Sequence, residues 1–183
     1  MFKELVKVFY SNLDDYGVSI LNDCKYGYGI RGNEMTLTLL KCGTYPNEEA
    51  DCGRHTFTYS IYPHKDNARR GGTIDEAYLL NRPMSACYAN GGGKLPGVFS
   101  LIGCDCENIV IETVKKAENG KGIVVRLNDA WDKKSTPELT FGFNANDVYL
   151  CDMLENKKEK IGSGNKVKLK VSNFEIVTLL IET

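Results

Sequence analysis

Residues 16–64 read YGVSILNDCKYGYGIRGNEMTLTLLKCGTYPNEEADCGRHTFTYSIYPH, and the pattern in this stretch indicates the type of fold. Apolar and polar residues alternate along much of it, as in antiparallel strands with one buried face. Polar and glycine-containing segments separate the alternating runs, and such segments predict turns and loops. The predicted strands are Gly17–Leu21, Glu34–Lys41 and His55–Tyr62, with turns at Asn22–Gly27 and Gly32–Asn33 and an acidic loop at Cys42–Arg54.

The rest of the chain continues this pattern. Residues 1–13 predict a strand entering the sheet, with a single helical turn as the alternative. No segment shows the i, i+3, i+4, i+7 apolar spacing over ten or more residues that would predict a helix. We therefore expect an all-β antiparallel sandwich in which residues 1–183 form one domain. Further strands are predicted at 98–104, 108–117, 122–131, 139–143, 148–155, 166–171 and 174–182, with a hairpin turn at 118–122, a mobile glycine-rich loop at 82–97 and polar breaks at 132–138 and 156–165.

Composition excludes several classes of partner. The chain has 23 basic and 24 acidic residues, so it lacks the positive charge typical of nucleic-acid or anionic-lipid binding. Its longest apolar runs, such as Ile176–Ile181, are far shorter than the roughly 20 residues of a membrane helix. Seven cysteines with no CxxC pair indicate free thiols in a reducing compartment. We expect a soluble cytoplasmic protein without nucleic-acid or membrane partners.

Few residues are candidates for catalysis. The only histidines, His55 and His64, match no zinc-ligand spacing and are expected to be structural. Glu48, Glu49 and Asp51 lie in one loop. One interpretation is that their like charges raise the pKa of one carboxyl group for acid catalysis, and the other is that the loop is simply solvated. The solvated loop is the favoured interpretation. An independent hydrolase is therefore not indicated.

Several long segments carry a resemblance to a known family. Residues 17–64 resemble the start of the C-terminal β domain of the alpha-mannosidases of glycoside hydrolase family 38. Further similar pieces follow in the same order: EAYLLNRP at 76–83, NIVIETVKKAENGKGIVVRLNDA at 108–130, CDMLE at 151–155 and FEIVTLLIE at 174–182. The resemblance thus covers nearly the whole chain. The segment NDAWDKK departs from the family pattern, so the resemblance assigns no role to Asp129.

The resemblance implies a part of an enzyme. Family members are retaining, zinc-dependent exo-mannosidases whose zinc ligands, nucleophile and acid/base lie on N-terminal domains, and nothing of that length precedes Met1. It implies a non-catalytic C-terminal β domain of the galactose-mutarotase-like supersandwich type, with zinc bound by the absent domains and no catalytic residue or metal ligand on this chain. The implied partners are an alpha-mannoside oligosaccharide and the enzyme's own catalytic domains. The isolated chain is expected to fold but not to hydrolyse mannosides.

The resemblance also implies that the first hairpin loops lean over the rim of the sugar site. Lys41 stands where relatives carry a basic residue near the sugar, often arginine, and lysine is a point charge rather than a bidentate fork. Tyr26 offers an aromatic face of the kind that packs against a sugar ring. The polar turn and the acidic loop are expected at one end of the sandwich. The candidate substrate-binding residues are Asn22, Asp23, Lys25, Tyr26, Lys41 and Asp51.

A second function stays open at this point. A stand-alone carbohydrate-binding or interaction module would share the same sandwich, because fold alone does not fix function. The coding region upstream of Met1 separates the two, since only the enzyme hypothesis requires a catalytic domain there.

Overall fold

The computed structural model describes residues 7–13 and 16–183. Contacts between residues divide the chain into two compact units, which we call unit 1 (residues 1–89) and unit 2 (residues 90–183). Whether they form the single predicted domain stays a prediction. In chain order the elements are β1 (Lys7–Leu13), β2 (Tyr16–Asn22), β3 (Tyr28–Arg31), β4 (Glu34–Leu37), β5 (Tyr59–Lys65), α1 (Thr73–Asn81), β6 (Ile102–Cys104), β7 (Ile109–Lys116), β8 (Ile123–Asp129), β9 (Glu138–Cys151), β10 (Lys157–Lys168) and β11 (Ile176–Glu182).

Unit 1 is built on a small antiparallel sheet. Three strands pair in the order β1-β2-β5, and β3 and β4 form a separate hairpin whose turn is the predicted Gly32–Asn33. The strand predicted to end at Lys41 ends at Leu37, and the strand predicted at His55–Tyr62 is found at Tyr59–Lys65. Residues 38–58, between β4 and β5, contain no regular strand, so the loop is longer than the predicted Cys42–Arg54.

Helix α1 corrects the expectation that the chain has no helix. It spans nine residues, which is shorter than the ten or more over which the helical apolar spacing is recognised. It buries only Thr73 and Ala77, one turn apart. Gly72 precedes it with φ 73°, a left-handed conformation that glycine adopts without strain. Asp75 and Glu76 lie in the first turn, where negative charge interacts favourably with the helix dipole.

Unit 2 contains a six-stranded antiparallel sheet in which β10-β9-β11-β8-β7 follow one another and β6 pairs with β9. Strand β11 lies between β8 and β9, and both of its faces are covered. Leu179 and Ile181 join the main apolar core, while Leu180 packs on the other face with Val124 and Cys151. Burial on both faces explains why IVTLLIE reads as a continuous apolar run rather than as an alternating strand.

Two strand assignments in unit 2 differ from the sequence-based ones. The segments predicted as separate strands at 139–143 and 148–155 are joined in one strand, β9, which ends at Cys151, so that residues 152–155 lie outside it. The polar break predicted at 156–165 lies mostly within β10. Strand β10 is at the edge of the sheet, and its pairing with β9 has several register shifts. Charged, irregular edge strands are common because they resist pairing with other chains. Polarity here indicates an edge strand rather than a loop.

The predicted hairpin between β7 and β8 is confirmed. Ala117 N donates to Gly122 O at 3.0 Å, and Gly120 and Gly122 have φ values of 74° and 102°. A Cβ at Gly122 would lie 2.3 Å from Ile181 O, so the close approach of β11 also requires glycine. Together with the antiparallel sheets, these elements confirm the all-β sandwich class, to which α1 is the one helical addition in the described residues. Among the helices described, none is long and apolar enough to cross a bilayer.

Candidate functional site: the loops of unit 1

The turn after β2 is organised by Asn22, which is fully buried. Its Oδ1 accepts a hydrogen bond from the backbone N of Cys24 at 3.0 Å and another from Lys25 N, and its Nδ2 donates to the Tyr28 hydroxyl. Its backbone carbonyl accepts a further bond from Asn81 Nδ2 at 3.2 Å. Asparagine commonly forms turns of this kind by bonding amides two or three residues ahead. Asn22 therefore shapes the turn from inside.

Asp23 fastens the same turn to the chain entering β5. Both of its carboxylate oxygens lie 3.0 Å from Thr58 N, and Asp23 N donates to Thr58 O at 3.2 Å. Hydrogen bonding with the Cys24 side chain and with the Thr58 amide lowers the pKa of Asp23 below its ordinary value. Beside this contact, Lys25 Nζ lies 4.7 Å from the centre of the Phe57 ring. The turn is therefore held by paired polar contacts and a cation–π contact.

The outer part of the turn is exposed. Tyr26 has 72% of its surface accessible, and its ring is the most accessible of the candidate sugar-facing groups in the turn. Gly27 O then accepts a hydrogen bond from Thr38 N at 2.8 Å, which extends the β3–β4 hairpin by one pair. A Cβ at Gly27 would lie 2.9 Å from Thr38 Cβ, so the two segments approach closely. Because Thr38 is only three positions before Lys41, the Gly27–Thr38 pair links the Asn22–Gly27 turn to the segment that leads into the acidic loop.

Asp51 closes the acidic loop at its base. Its Oδ2 accepts a hydrogen bond from Cys42 N at 2.9 Å, directly after Lys41, and its backbone carbonyl lies 2.9 Å from His55 Nε2. Lys41 itself is exposed. The structure thus brings Lys41 and Asp51 together at the base of one loop, and Asn22, Asp23, Lys25 and Tyr26 together on one turn. That all six form one sugar-facing rim stays a prediction.

A buried Ser–His pair was not predicted from the sequence. Ser19 Oγ lies 2.9 Å from His64 Nε2 and 2.9 Å from Thr73 Oγ1, and His64 Nδ1 lies 3.1 Å from the Asp66 carbonyl. Because a carbonyl only accepts, Nδ1 carries the ring hydrogen, Nε2 accepts from Ser19, and Ser19 in turn accepts from Thr73. These partners are far apart in sequence, and no local pattern marks them.

The distance between Ser19 Oγ and His64 Nε2 is that of a nucleophile and its base, but the pair is not accessible to a substrate. Ser19 is fully buried and His64 is 6% exposed, so no substrate atom reaches the hydroxyl. Glycines on two sides enclose the imidazole: a Cβ at Gly17 or at Gly71 would lie 2.2 Å or 2.4 Å from a ring atom. His64 is therefore structural, as the sequence predicted.

Asp129 is a second buried polar centre, in unit 2, and is 1% exposed. Burial alone raises the pKa of Asp129, but hydrogen bonds from the Asn108 side chain and from the amides of Phe174, Lys133 and Trp131 outweigh burial and lower it from 3.8 to about 2. The carboxylate joins the start of β7, the loop after β8 and the loop before β11. Its role is to hold these loops together. Across the described residues, no group of three or more His, Cys, Asp or Glu side chains is arranged to hold a metal ion.

Comparisons with known proteins give a consistent picture. Residues 108–179 match the family model for the "Glycosyl hydrolases family 38 C-terminal beta sandwich domain", and residues 6–49 match that for the "Glycosyl hydrolases family 38 C-terminal domain". Alpha-mannosidase 2C1 of Mus musculus is 35% identical over 174 residues, which are 91% of this chain and 17% of that protein. Alpha-mannosidase G of Dictyostelium discoideum is 33% identical over 180 residues, which are 90% of this chain and 16% of that protein.

A solved structure shows the same fold. A crystal structure of a protein in glycosyl hydrolase family 38 from Enterococcus faecalis superposes with a TM-score of 0.76 and 24% identity, covering 96% of this chain and 22% of that one. The chain therefore spans only about a sixth to a fifth of the length of the proteins that it matches.

Proposed function

Because this chain belongs to the C-terminal region of glycoside hydrolase family 38, we propose that it is the non-catalytic β region of an alpha-mannosidase whose catalytic domains lie upstream. The observation that carries the proposal is the pair of family matches in chain order, one in each unit, together with relatives that are named alpha-mannosidases. The whole enzyme would release terminal alpha-mannosyl residues from oligosaccharides. The seven cysteines, all free, support a cytoplasmic location.

The chemistry would come from the upstream domains. The described residues of this chain contain no group of side chains that fits a zinc ion. Zinc and a retaining mechanism are part of the proposal for the whole enzyme. The buried Ser19–His64 pair does not offer an alternative nucleophile, since its hydroxyl is inaccessible. The role left to this chain is support of the catalytic domains and contact at the edge of their pocket.

The six rim residues would divide this work. Tyr26, Lys25 and Lys41 have exposed or half-exposed side chains and would face the sugar. Asn22, Asp23 and Asp51 direct their side chains to backbone amides and would hold the two loops in position. A side chain that acts through another is a positioning residue, and its loss disturbs geometry rather than removing a contact.

The main experiment compares two proteins. The polypeptide that includes the region upstream of this chain is expected to release nitrophenol from an aryl alpha-mannoside and to lose this activity when its zinc is chelated. The 183-residue chain alone is expected to release none. Hydrolysis by the highly purified 183-residue chain would overturn the non-catalytic assignment. Absence of mannosidase activity in the longer polypeptide, with folding verified, would instead favour a carbohydrate-binding or interaction module.

The rim is tested in the longer polypeptide by single substitutions. Asp23→Ala is expected to lower kcat/KM on a mannose disaccharide by roughly ten- to a hundredfold, because without the bonds from Asp23 to the Thr58 amide the turn shifts and the sugar-facing Lys25 and Tyr26 are misplaced. Lys41→Ala is expected to give a smaller loss in the same direction. Lys121→Ala, an exposed lysine of the β7–β8 hairpin, is the control and should leave kcat/KM unchanged. Unchanged kinetics for both rim variants, at equal zinc content and melting temperature, would show that the loops are only structural.

A further inference from the structure

The β1-β2-β5 sheet of unit 1 has two very different faces. On one face, Ser19 and Leu21 of β2 and Tyr62 and His64 of β5 point toward α1. Ser19 bonds to Thr73 at the start of this helix, and Tyr62 bonds to the Gly71 carbonyl at 2.9 Å just before it. This face is closed by the unit's own residues.

The opposite face is apolar and open to solvent. In β5, Tyr59 and Ile61 are 55% and 67% exposed, and Pro63 is also exposed. The strand pairing sets Ile61 across from Ile20 and Pro63 across from Val18, which are only half-buried. At one end of this row the exposed Tyr16 lies across from the exposed Lys65, and at the other end Tyr59 lies across from the buried Asn22. We call this set the open face; its residues are Tyr16, Val18, Ile20, Tyr59, Ile61 and Pro63.

The side chains of the open face limit the kind of molecule that can bind there. Apolar side chains in a contiguous row on the face of a sheet are costly to leave in water and mark a contact with another apolar surface. A mannoside would need several hydrogen-bonding groups around its ring, whereas the middle of the open face, formed by Val18, Ile20, Ile61 and Pro63, has aliphatic side chains, and polar groups lie only toward its ends. The occupant is therefore a protein surface with an apolar patch.

We propose that the open face is the surface on which the upstream catalytic part of the same enzyme docks. The inference rests on the proposed function and names the partner of this unit. The matches cover 16–17% of the mannosidase relatives, and both family models describe C-terminal domains, so most of such an enzyme precedes this region. Strand β1, the first described strand, is at the edge of the same sheet. The chain that leads in from a catalytic domain therefore enters unit 1 at the sheet that carries the open face.

Photo-crosslinking in the longer polypeptide tests this assignment. A benzophenone amino acid replaces Ile61, and in a separate protein it replaces Val114, a 44% exposed residue of β7 in unit 2 that serves as the matched control. After irradiation, peptide mass spectrometry identifies the partner. Position 61 is expected to crosslink to residues upstream of this chain within the same molecule, at a yield at least about tenfold above position 114.

Every other outcome contradicts the proposal. Crosslinks from position 61 to a second copy would identify a dimer interface, and crosslinks confined to residues 1–183, or none, would show that no upstream domain covers this face. Mannosidase activity of the same crosslinker-bearing protein is measured in parallel. Activity without the expected crosslink would reject the docking surface while leaving the proposed function intact, whereas failure of the proposed function would show as lost activity in the unmodified polypeptide.

A substitution gives a second readout. Ile61→Asp places a charge in the proposed contact, and burial of an unpaired charge is strongly unfavourable. It is expected to shorten the half-life of mannosidase activity at elevated temperature by about tenfold, while Val114→Asp leaves this half-life nearly unchanged. Equal half-lives for the two variants would contradict docking at the open face.

Discussion

Unit 2 is held together mainly by apolar packing, whereas the buried side chains described in unit 1 are mostly polar. The interior of unit 2 contains fully buried Leu127, Leu139 and Leu179 on neighbouring strands. In the described part of unit 1 the buried apolar side chains are only Leu21, Ala68 and Ala77. The other buried side chains there are polar: Ser19, Asn22, His64 and Thr73.

This difference has a consequence for how each unit is stabilised. Apolar burial contributes in proportion to area, at roughly 25 cal/mol per Å², so the core of unit 2 is a source of stability in itself. A buried hydrogen bond contributes only about 1 kcal/mol net, because folding exchanges it for a bond with water. The part of unit 1 whose side chains are described, residues 16–89, has few buried apolar groups and an exposed apolar face, so it has the more to gain from a partner surface.

The largest effect is expected for Leu179→Ala in β11. This residue is fully buried in the main core of unit 2, and its truncation leaves a cavity that costs roughly 3 to 5 kcal/mol of unfolding free energy. Fluorescence of Trp131, the single tryptophan, reports denaturant unfolding of unit 2. Leu154→Ala is the control because this leucine is 82% exposed, and it should change the unfolding free energy little.

The same variant tests whether the two units are stabilised separately. Hydrogen exchange of the backbone amides in β2 and β5, followed by mass spectrometry, is expected to stay as in the wild type. Faster exchange in these strands, in step with the loss of unit 2, would show that the two units unfold together as one cooperative core.

A somewhat smaller effect is expected for Asp129→Asn. Both carboxylate oxygens of Asp129 accept hydrogen bonds from N–H groups. The amide of asparagine has the same shape, but its NH2 group would replace one of these acceptors and would face N–H donors. Loss of these charge-assisted bonds should cost about 3 kcal/mol at pH 7. Trp131 lies in the loop held by Asp129, so its fluorescence follows this change directly. Asp132→Asn, at an exposed position with φ 59° that asparagine also tolerates, is the control.

The effect of Asp129→Asn should depend on pH. The pKa of Asp129 is about 2 in the folded chain against an ordinary 3.8, so its ionised form stabilises the fold above pH 4. This contribution, about 2 kcal/mol, is lost as the pH falls from 4 to 2 through the folded-state pKa. The difference in unfolding free energy between wild type and variant should therefore narrow by about that amount over this interval. A difference that stays constant would show that the charge of Asp129 is not what stabilises these loops.

Local patterns predicted much of the fold. The Asn119–Gly120 hairpin and the alternating strands around it are where they were expected, because turn chemistry and side-chain periodicity act over a few residues. The helix α1 was missed because its buried face consists of two small residues. The part of strand β10 before residue 166 was missed because an edge strand carries the charges of a loop. In both cases tertiary position overrides local composition.

The candidate site was predictable to a different degree. The turn at Asn22–Gly27 and the loop containing Asp51 are recognisable from polar composition, and the structure shows both. The sequence does not reveal that Asn22 points inward, because this depends on Tyr28 and on Asn81, 59 residues away. The Ser19–His64 bond likewise joins residues 45 positions apart, and only the paired strands bring them together.

The smallest effect is expected for Ser19→Ala in unit 1. The substitution removes a hydroxyl that lies between His64 Nε2 and Thr73 Oγ1 and leaves two buried polar atoms without this partner. The expected loss is about 1 to 2 kcal/mol, measured as faster hydrogen exchange of β2, β5 and α1 with unchanged Trp131 unfolding. Ser60→Ala, a half-buried serine of the same sheet, is the control. If Ser19→Ala were no more destabilising than Ser60→Ala, the polar cluster would not stabilise unit 1, and apolar contacts, among them those of the buried Leu21 and Ala77, would have to do so.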